Sequence, residues 1–374
     1  LIAPATLGLL APLPVFSNDI DFQAISKYSN SEYELDSNSF KQTSIDNTLL
    51  SGGEGLVDSG SSDSFSSTTS ASFTAEGILG GVSTDDATVS EAMSFDYQYQ
   101  IGLTSSFTGE DALDVTIDAG NNDGTGGTAD SAASQLFAMD TTADALIVDG
   151  VSYTFPVGGA TVIVGDNTDV SSLYTGACAY SGFLDYTGDC GTGNSIGLGN
   201  AGATVAAAYA FDGGLSLSGG ITSPNNEITG QQNDGFGMEA AYTGDDYGIS
   251  VAFADIETST FLGVNAYYTF DFATFSAGYE TADADNPATE DSNAFFVGMT
   301  KEVGPGTFEA SYSATDMLTA LPGLAGETGY LYEASYAYPV NDYLTLTPGM
   351  GILSVDAGET SCLLYTSPSP RDLS

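Results

Sequence analysis

Apolar and polar residues alternate with period two along most of the chain. In Tyr247-Gly-Ile-Ser-Val-Ala-Phe-Ala254, Tyr247, Ile249, Val251 and Phe253 share one face, and Gly248, Ser250, Ala252 and Ala254 share the other. In Gly329–Tyr338 the face holding Tyr330, Tyr332, Ala334, Tyr336 and Tyr338 lies opposite Glu333 and Ser335. Such alternation predicts β-strands, and no stretch shows a comparable helical period. The pattern places strands at 67–83, 92–108, 111–121, 145–155, 160–166, 203–211, 215–223, 235–243, 247–255, 260–270, 273–281, 292–301, 306–314, 328–338 and 343–354. Most have about 9–11 residues, the length of a tilted strand that crosses a bilayer.

The connections alternate in length. Thr108–Asp111, Pro156–Gly159, Asp212–Gly214, Gly244–Asp246, Asp271–Phe272, Glu302–Gly306 and Pro339–Asp342 are tight turns. Longer polar connections lie at 122–144, 167–202, 224–234, 282–291 and 315–327. Short turns at one end and long loops at the other mark an outer-membrane barrel. Bacterial single-chain barrels have even strand numbers. The expectation is therefore an all-β, transmembrane, antiparallel up-and-down barrel of sixteen strands, with about fifteen present and the last truncated. Sixteen strands leave an aqueous channel rather than a filled interior. A soluble sandwich, solenoid or adhesin also accommodates the Gly, Ser and Asp. It leaves the loop alternation and the one-sided Tyr and Phe unexplained.

The ends read differently. Residues 1–17 are apolar and uncharged, carry Pro4, Pro12 and Pro14, and end on Ser17, as a signal peptide lacking its start would. Residues 18–66 form a Ser/Asn/Asp-rich segment expected in the periplasm, and 67–361 form the barrel. Residues 362–374 look like a translated sequencing adapter, hence an artefactual tail. Setting the tail aside removes Cys362 and leaves Cys178 and Cys190, 12 apart in sequence. In an oxidising compartment a loop-closing disulfide is expected between them.

Composition narrows the function. The chain has 374 residues, with 50 Asp+Glu against 4 Lys+Arg, no His and a net charge of −46. Without His there is no Ser-His-Asp set and no His-ligated zinc. Without a basic patch there is no nucleic-acid surface. Such acidity suits disorder, but 42% hydrophobic and 11% aromatic residues do not. A carboxylate pair could hydrolyse glycosides without His, yet nothing in the sequence brings two acids into one cleft. No enzyme activity and no cofactor are expected.

Several segments resemble a known family. They are Phe65–Ala75, Tyr99–Leu113, Val148–Gly158, Ala241–Val251 and Val303–Gly306, all in order. They look like porins of marine cyanobacteria, in the carbohydrate-selective porin superfamily, some of which are labelled iron-uptake porins. The resemblance covers about 18–356 and implies a passive outer-membrane channel of a Gram-negative, cyanobacterial cell. Many relatives carry an N-terminal surface-layer-homology domain that holds the cell wall. Here 18–66 stands in that place, so wall anchoring is not carried over. A homotrimer is a common state of porins of this size.

Selectivity is expected in two places. The third external loop, 167–202, is the longest connection and carries Asp169, Asp185, Asp189 and both cysteines. In general porins the third loop folds into the lumen and narrows it. Glu239, Glu280, Glu309 and Glu333 sit on the polar faces of their strands, where hydrated lumen carboxylates would attract cations. The basic residues outside the tail are Lys27, Lys41 and Lys301, so no basic cluster opposes them. A cation-preferring diffusion pore for small hydrophilic solutes and inorganic ions is expected; a structural or adhesive outer-membrane protein is the alternative. Asp118, Asp123 and Asp130 resemble a calcium loop without EF-hand spacing, so only weak surface Ca²⁺ or Mg²⁺ binding is expected. Gly197-Leu-Gly-Asn-Ala-Gly202 matches G-x-G-x-x-G but lacks the strand-to-helix setting of a dinucleotide site.

Overall fold

The computed structural model describes residues 69–84, 92–122, 137, 139–184, 188–197, 202–223, 234–256, 259–284, 291–316, 328–355 and, as backbone, 360–369. The expected signal peptide and periplasmic segment lie outside these residues, as do Lys27, Lys41, Asp123, Asp130 and Asp185.

Among the described residues sixteen strands form one closed antiparallel barrel, in which each strand pairs with its sequence neighbours and β1 with β16 closes the seam. They are β1 Thr69–Thr84, β2 Ser94–Ser105, β3 Ala112–Gly120, β4 Ile147–Val157, β5 Ala160–Thr168, β6 Gly202–Ala210, β7 Leu215–Ser223 and β8 Gly235–Thr243. The second half comprises β9 Tyr247–Ile256, β10 Ser259–Phe270, β11 Ala273–Ala284, β12 Ser292–Val303, β13 Gly306–Thr315, β14 Gly329–Asn341, β15 Leu344–Val355 and β16 Thr360–Ser369. The first fifteen follow the expected segments in order.

The sixteenth differs from expectation. Residues 360–369, within the segment read as barrel edge plus artefactual tail, pair with β15 on one side and β1 on the other. Without them β1 and β15 would each expose a row of unpaired backbone donors and acceptors. In hydrocarbon those groups have no water to bond, so closure is obligatory. The β9–β10 connection at the long-loop end is short, as the expected strand bounds 247–255 and 260–270 already had it.

The two faces of the wall follow the alternation. Along β9, Gly248, Ser250, Ala252 and Ala254 are buried inside while Tyr247, Ile249 and Val251 are exposed outside. The outer surface carries Phe73, Phe95, Leu262, Phe295, Tyr332 and Met350, all exposed. A soluble fold would bury that surface; a barrel turns it to lipid. Aromatic rings gather at the short-turn rim: Tyr209 with Phe211 at 4.6 Å, Tyr268 with Phe270 at 4.5 Å and Tyr242 with Tyr247 at 5.7 Å. This is the interfacial girdle expected of a membrane barrel. The turns themselves need glycine where φ is positive, as at Gly213 (94°) and Gly214 (93°). No helix among the described residues is long and apolar enough to cross a membrane.

Candidate functional site: the inner loop and the wall it leaves uncovered

The connection between β5 and β6 does not stay at the rim. It runs across the inner face of the barrel as far as β15 and returns. Asp169 starts it by capping a 3-10 turn, Val170–Leu173, and accepts from Ser171 N at 2.6 Å and from the Ser171 hydroxyl. Val170 then packs with Ile163, Ala206 and Ala254 inside the wall. The outgoing limb is hydrogen-bonded strand by strand. Thr175 N and Gly176 N donate to Glu239 of β8 at 2.7 and 2.9 Å. Ala177 N donates to Asn265 of β10 at 2.9 Å, and Ala179 N to Ser276 of β11 at 3.0 Å. The Ser181 hydroxyl donates to Glu309 of β13 at 2.7 Å. At the tip, Tyr180 OH, Phe183 N and Leu184 N donate to Glu333 of β14 at 2.6, 3.2 and 3.0 Å.

The returning limb is held in the same way. Ser195 N and Asn194 Nδ2 donate to Glu280 of β11 at 2.5 and 2.9 Å. Asn265 Nδ2 donates to Thr192 Oγ1 at 2.9 Å. A disulfide joins Cys178 of the outgoing limb to Cys190 of the returning limb, with Cα atoms 5.7 Å apart. Tyr180, Cys190 and Phe296 close over it as a small apolar cluster.

The four glutamates therefore lie on the inner face but not in open water. Glu239, Glu280, Glu309 and Glu333 keep 3, 0, 8 and 4% of their surface. The expectation of hydrated carboxylates is corrected here. A carboxylate accepts strongly from several donors at once, and a loop crossing a wall perpendicular to its strands has many unpaired N–H groups to satisfy. The acids serve as clamps for the loop. Of the loop acids, Asp169 is a buried cap whose pKa is pushed up by burial, and Asp189 is exposed at a positive φ of 53°.

Close approach also needs glycine on the inner face. A Cβ at Gly349 would meet the Phe183 ring at 2.5 Å, and one at Gly351 would meet Leu184 Cδ1 at 2.5 Å. At Gly278 and Gly263 it would run into the Cys190 carbonyl and the Ser195 hydroxyl. Sequence reading missed this glycine track. Its signal was present as glycines that recur on the polar parity of β10, β11 and β15.

The inner loop packs against the wall from β5 to β15, and among the described residues its contacts do not reach β1 to β4. The inner parity of that part of the wall carries Glu76 of β1, Asp96, Gln98 and Gln100 of β2, and Asp114 and Asp118 of β3, of which Asp96 and Asp118 are buried and the others half-buried. Thr104 donates to Asp114 at 2.6 Å, and Gln98 Nε2 to Glu76 at 3.0 Å. Among the described residues the basic side chain is Lys301. It is exposed at the short-turn end of β12, on the outward parity of Val297 and Met299. Apart from Asp118, these acids of β1 to β3 were also missed, although Asp114-Val-Thr-Ile-Asp118 shows the alternation that points them inward.

A family model described as Gram-negative porin matches residues 148–348, more than half of the chain. The chain belongs to the Gram-negative porin family. It is an outer-membrane channel protein, and the matched part spans β4 to β15 with the inner loop. No curated protein matches it. Among solved porin structures, a variant of Rh. blastica porin has a TM-score of 0.53 at 16% identity, covering 80% of this chain and 99% of its own. A loop-deletion variant of OmpT, an outer membrane protein of Vibrio cholerae, has a TM-score of 0.57 at 13% identity, covering 81% and 99%. At these identities the likeness carries the fold.

Proposed function

We propose that this porin is a passive diffusion channel for small hydrophilic solutes and inorganic ions, that it prefers cations, and that the inner loop is its constriction. The observation that carries this reading is the pairing of a clamped inner loop with the β1–β4 wall beyond its reach, whose charged side chains among the described residues are all acidic, Glu76 and Asp114 half-exposed among them. Carboxylates lining a narrow water path raise the local cation concentration and repel anions. The clamps are already bonded to the loop, so the half-buried acids Glu76 and Asp114 and the acidic external loops supply the field. The porin fold and family are those of non-enzymatic channels. The likeness to cyanobacterial porins adds no solute: "carbohydrate" and "iron" are labels of that superfamily. A homotrimer in the lipid bilayer of the outer membrane fits the family.

The test is the reversal potential of single channels in a KCl gradient. A potential of cationic sign is expected, collapsing in high salt as screening shortens the field. A potential of anionic sign refutes the preference. Liposome swelling with small sugars separates a diffusion channel from a structural or adhesive protein, which would give no swelling.

A further inference from the structure

We propose that a cleft on the outer face of the barrel, at the long-loop ends of β7, β8 and β9, binds the primary ammonium head of an outer-leaflet lipid, with its acyl chain along Ile221, Phe236 and Met238. The cleft lies outside the lumen, so this inference stands or falls apart from the channel reading above.

A cavity of about 320 Å³ opens there, with Ile221, Ser223, Asp234, Phe236 and Asp255 in its lining. Strand pairing sets Ile221 beside Phe236 and Phe236 beside Asp255, in one row across three strands. Asp234 stands two residues before Phe236, so its parity is the same. Ile221 and Phe236 are 37 and 41% exposed, and Met238, the next outward residue of β8, is 45% exposed. The cleft thus joins an apolar flank on the membrane side to two carboxyl groups on the loop side. The outward residues of β9 run Tyr247, Ile249, Val251, Phe253 and then Asp255. A charge on the lipid face is tolerated near the interface and costly at depth. Asp255 therefore marks the level at which acyl chains give way to headgroups.

The charge of the occupant follows from what the two acids lack. Asp234 Oδ1 is buried and has no hydrogen-bond partner. Buried polar atoms in a folded protein find partners. The basic side chain among the described residues, Lys301, sits at the opposite, short-turn end of the wall. The counter-charge therefore comes from outside the described chain. An anionic head is repelled by both acids. No three metal-ligating side chains converge among the described residues, and an apolar flank suits a strongly hydrated metal ion poorly. A primary ammonium brings one positive charge and three N–H donors, enough for both carboxylates. The Phe236 ring can face the same cation, and the attached chain gains by covering Ile221 and Met238. A quaternary ammonium has the charge without the donors, so the cleft should discriminate between the two heads.

The chain contains no Trp, which makes a single introduced Trp a clean reporter. Met238→Trp places one beside the cleft. Phe295→Trp, on the outward face of β12 where the native ring is 41% exposed, is the control. Each full-length variant is folded into phosphatidylcholine vesicles containing brominated phosphatidylethanolamine, phosphatidylcholine or phosphatidylglycerol, and quenching gives the relative affinity of each lipid for the site. At Met238→Trp the ethanolamine lipid should be preferred over the choline lipid by about fivefold, with no preference at Phe295→Trp. Adding Asp234→Asn/Asp255→Asn should erase the preference while heat-modifiable gel migration shows a folded barrel. Should that variant not fold, Asp234→Asn alone should reduce the preference to about twofold. Equal quenching by the two heads at Met238→Trp, or a preference that survives loss of the carboxylates, overturns the site. A preference for phosphatidylglycerol that EDTA removes would assign a metal-bridged anionic lipid and overturn the ammonium assignment as well.

Discussion

Glu333 is the clamp at the far tip of the inner loop, and its removal is the sharpest test of how the loop is held. Three loop donors converge on it: Tyr180 OH at 2.6 Å, Phe183 N at 3.2 Å and Leu184 N at 3.0 Å. Ser311 of the neighbouring strand adds a fourth at 3.2 Å. A hydrogen bond to a charged group contributes about 1.5–3 kcal/mol net. Three would sum to several kcal/mol, but lumen water can solvate the freed donors of an open tip. That solvation brings the net cost of Glu333→Ala below the three-bond sum of about 4.5–9 kcal/mol, to about 3 kcal/mol. That corresponds to about a hundredfold rise in the undocked fraction of the tip. The apolar contacts of Phe183, which faces Gly349 and meets Phe137 edge-on at 5.2 Å, stay in place and limit the excursion. Single-channel recording reads the effect. Glu333→Ala should show a larger mean conductance with added open-channel noise, and Glu333→Gln, which keeps one carbonyl acceptor, should fall between it and the wild type. The barrel itself should melt at nearly the wild-type temperature. Conductance and noise indistinguishable from wild type in a folded Glu333→Ala channel would refute the clamp.

The other expectations concern neighbouring parts of the same device. Cys178→Ser/Cys190→Ser should leave barrel melting unchanged but expose the inner loop to protease, because a disulfide closing so short a ring contributes at most about 3 kcal/mol and acts here on the loop alone. Gly278→Val should push the returning limb off β11, since its side chain would enter the Cys190 carbonyl. An overpacking cost of about 1–3 kcal/mol should appear as conductance noise like that of the Glu333 variant, and quiet channels would contradict the close approach. Asp140 has its pKa raised to about 6, first by burial and then by Asp149 and Glu76. In the unfolded chain it ionises near the ordinary aspartate value of 3.8. Between about pH 4 and 6 the unfolded form therefore loses the proton first, and folding is progressively disfavoured as pH rises. Asp140→Asn should flatten that slope in melting curves taken without divalent ions and raise stability at pH 7; an unchanged slope would contradict the assignment.

Much of the fold was legible because a barrel wall has one strict rule. Each residue faces either lipid or lumen, and the period of two exposes that choice even in weakly apolar segments such as β6 and β7. Fifteen strands and the side on which Glu239, Glu280, Glu309 and Glu333 lie follow from parity alone. Parity says nothing of what stands in front of a face. That is why the same four residues read as hydrated field-makers from the sequence and are buried clamps in the structure. The half-buried acids Glu76 and Asp114 carried no stronger signal than the clamped ones. Only the path of the inner loop separates the two groups.

The sequence by itself determined the strand pattern, the inward and outward faces, the acidic balance and the pair of cysteines within one long connection. These are local properties, set by residue type and spacing. The tertiary structure decided which strands meet at the seam, with β16 satisfying the free edges of β1 and β15, and where the long connection goes. Both depend on pairing between segments far apart in the chain. Backbone donors without water must find acceptors, and the acceptors they found were the inward carboxylates of the opposite wall.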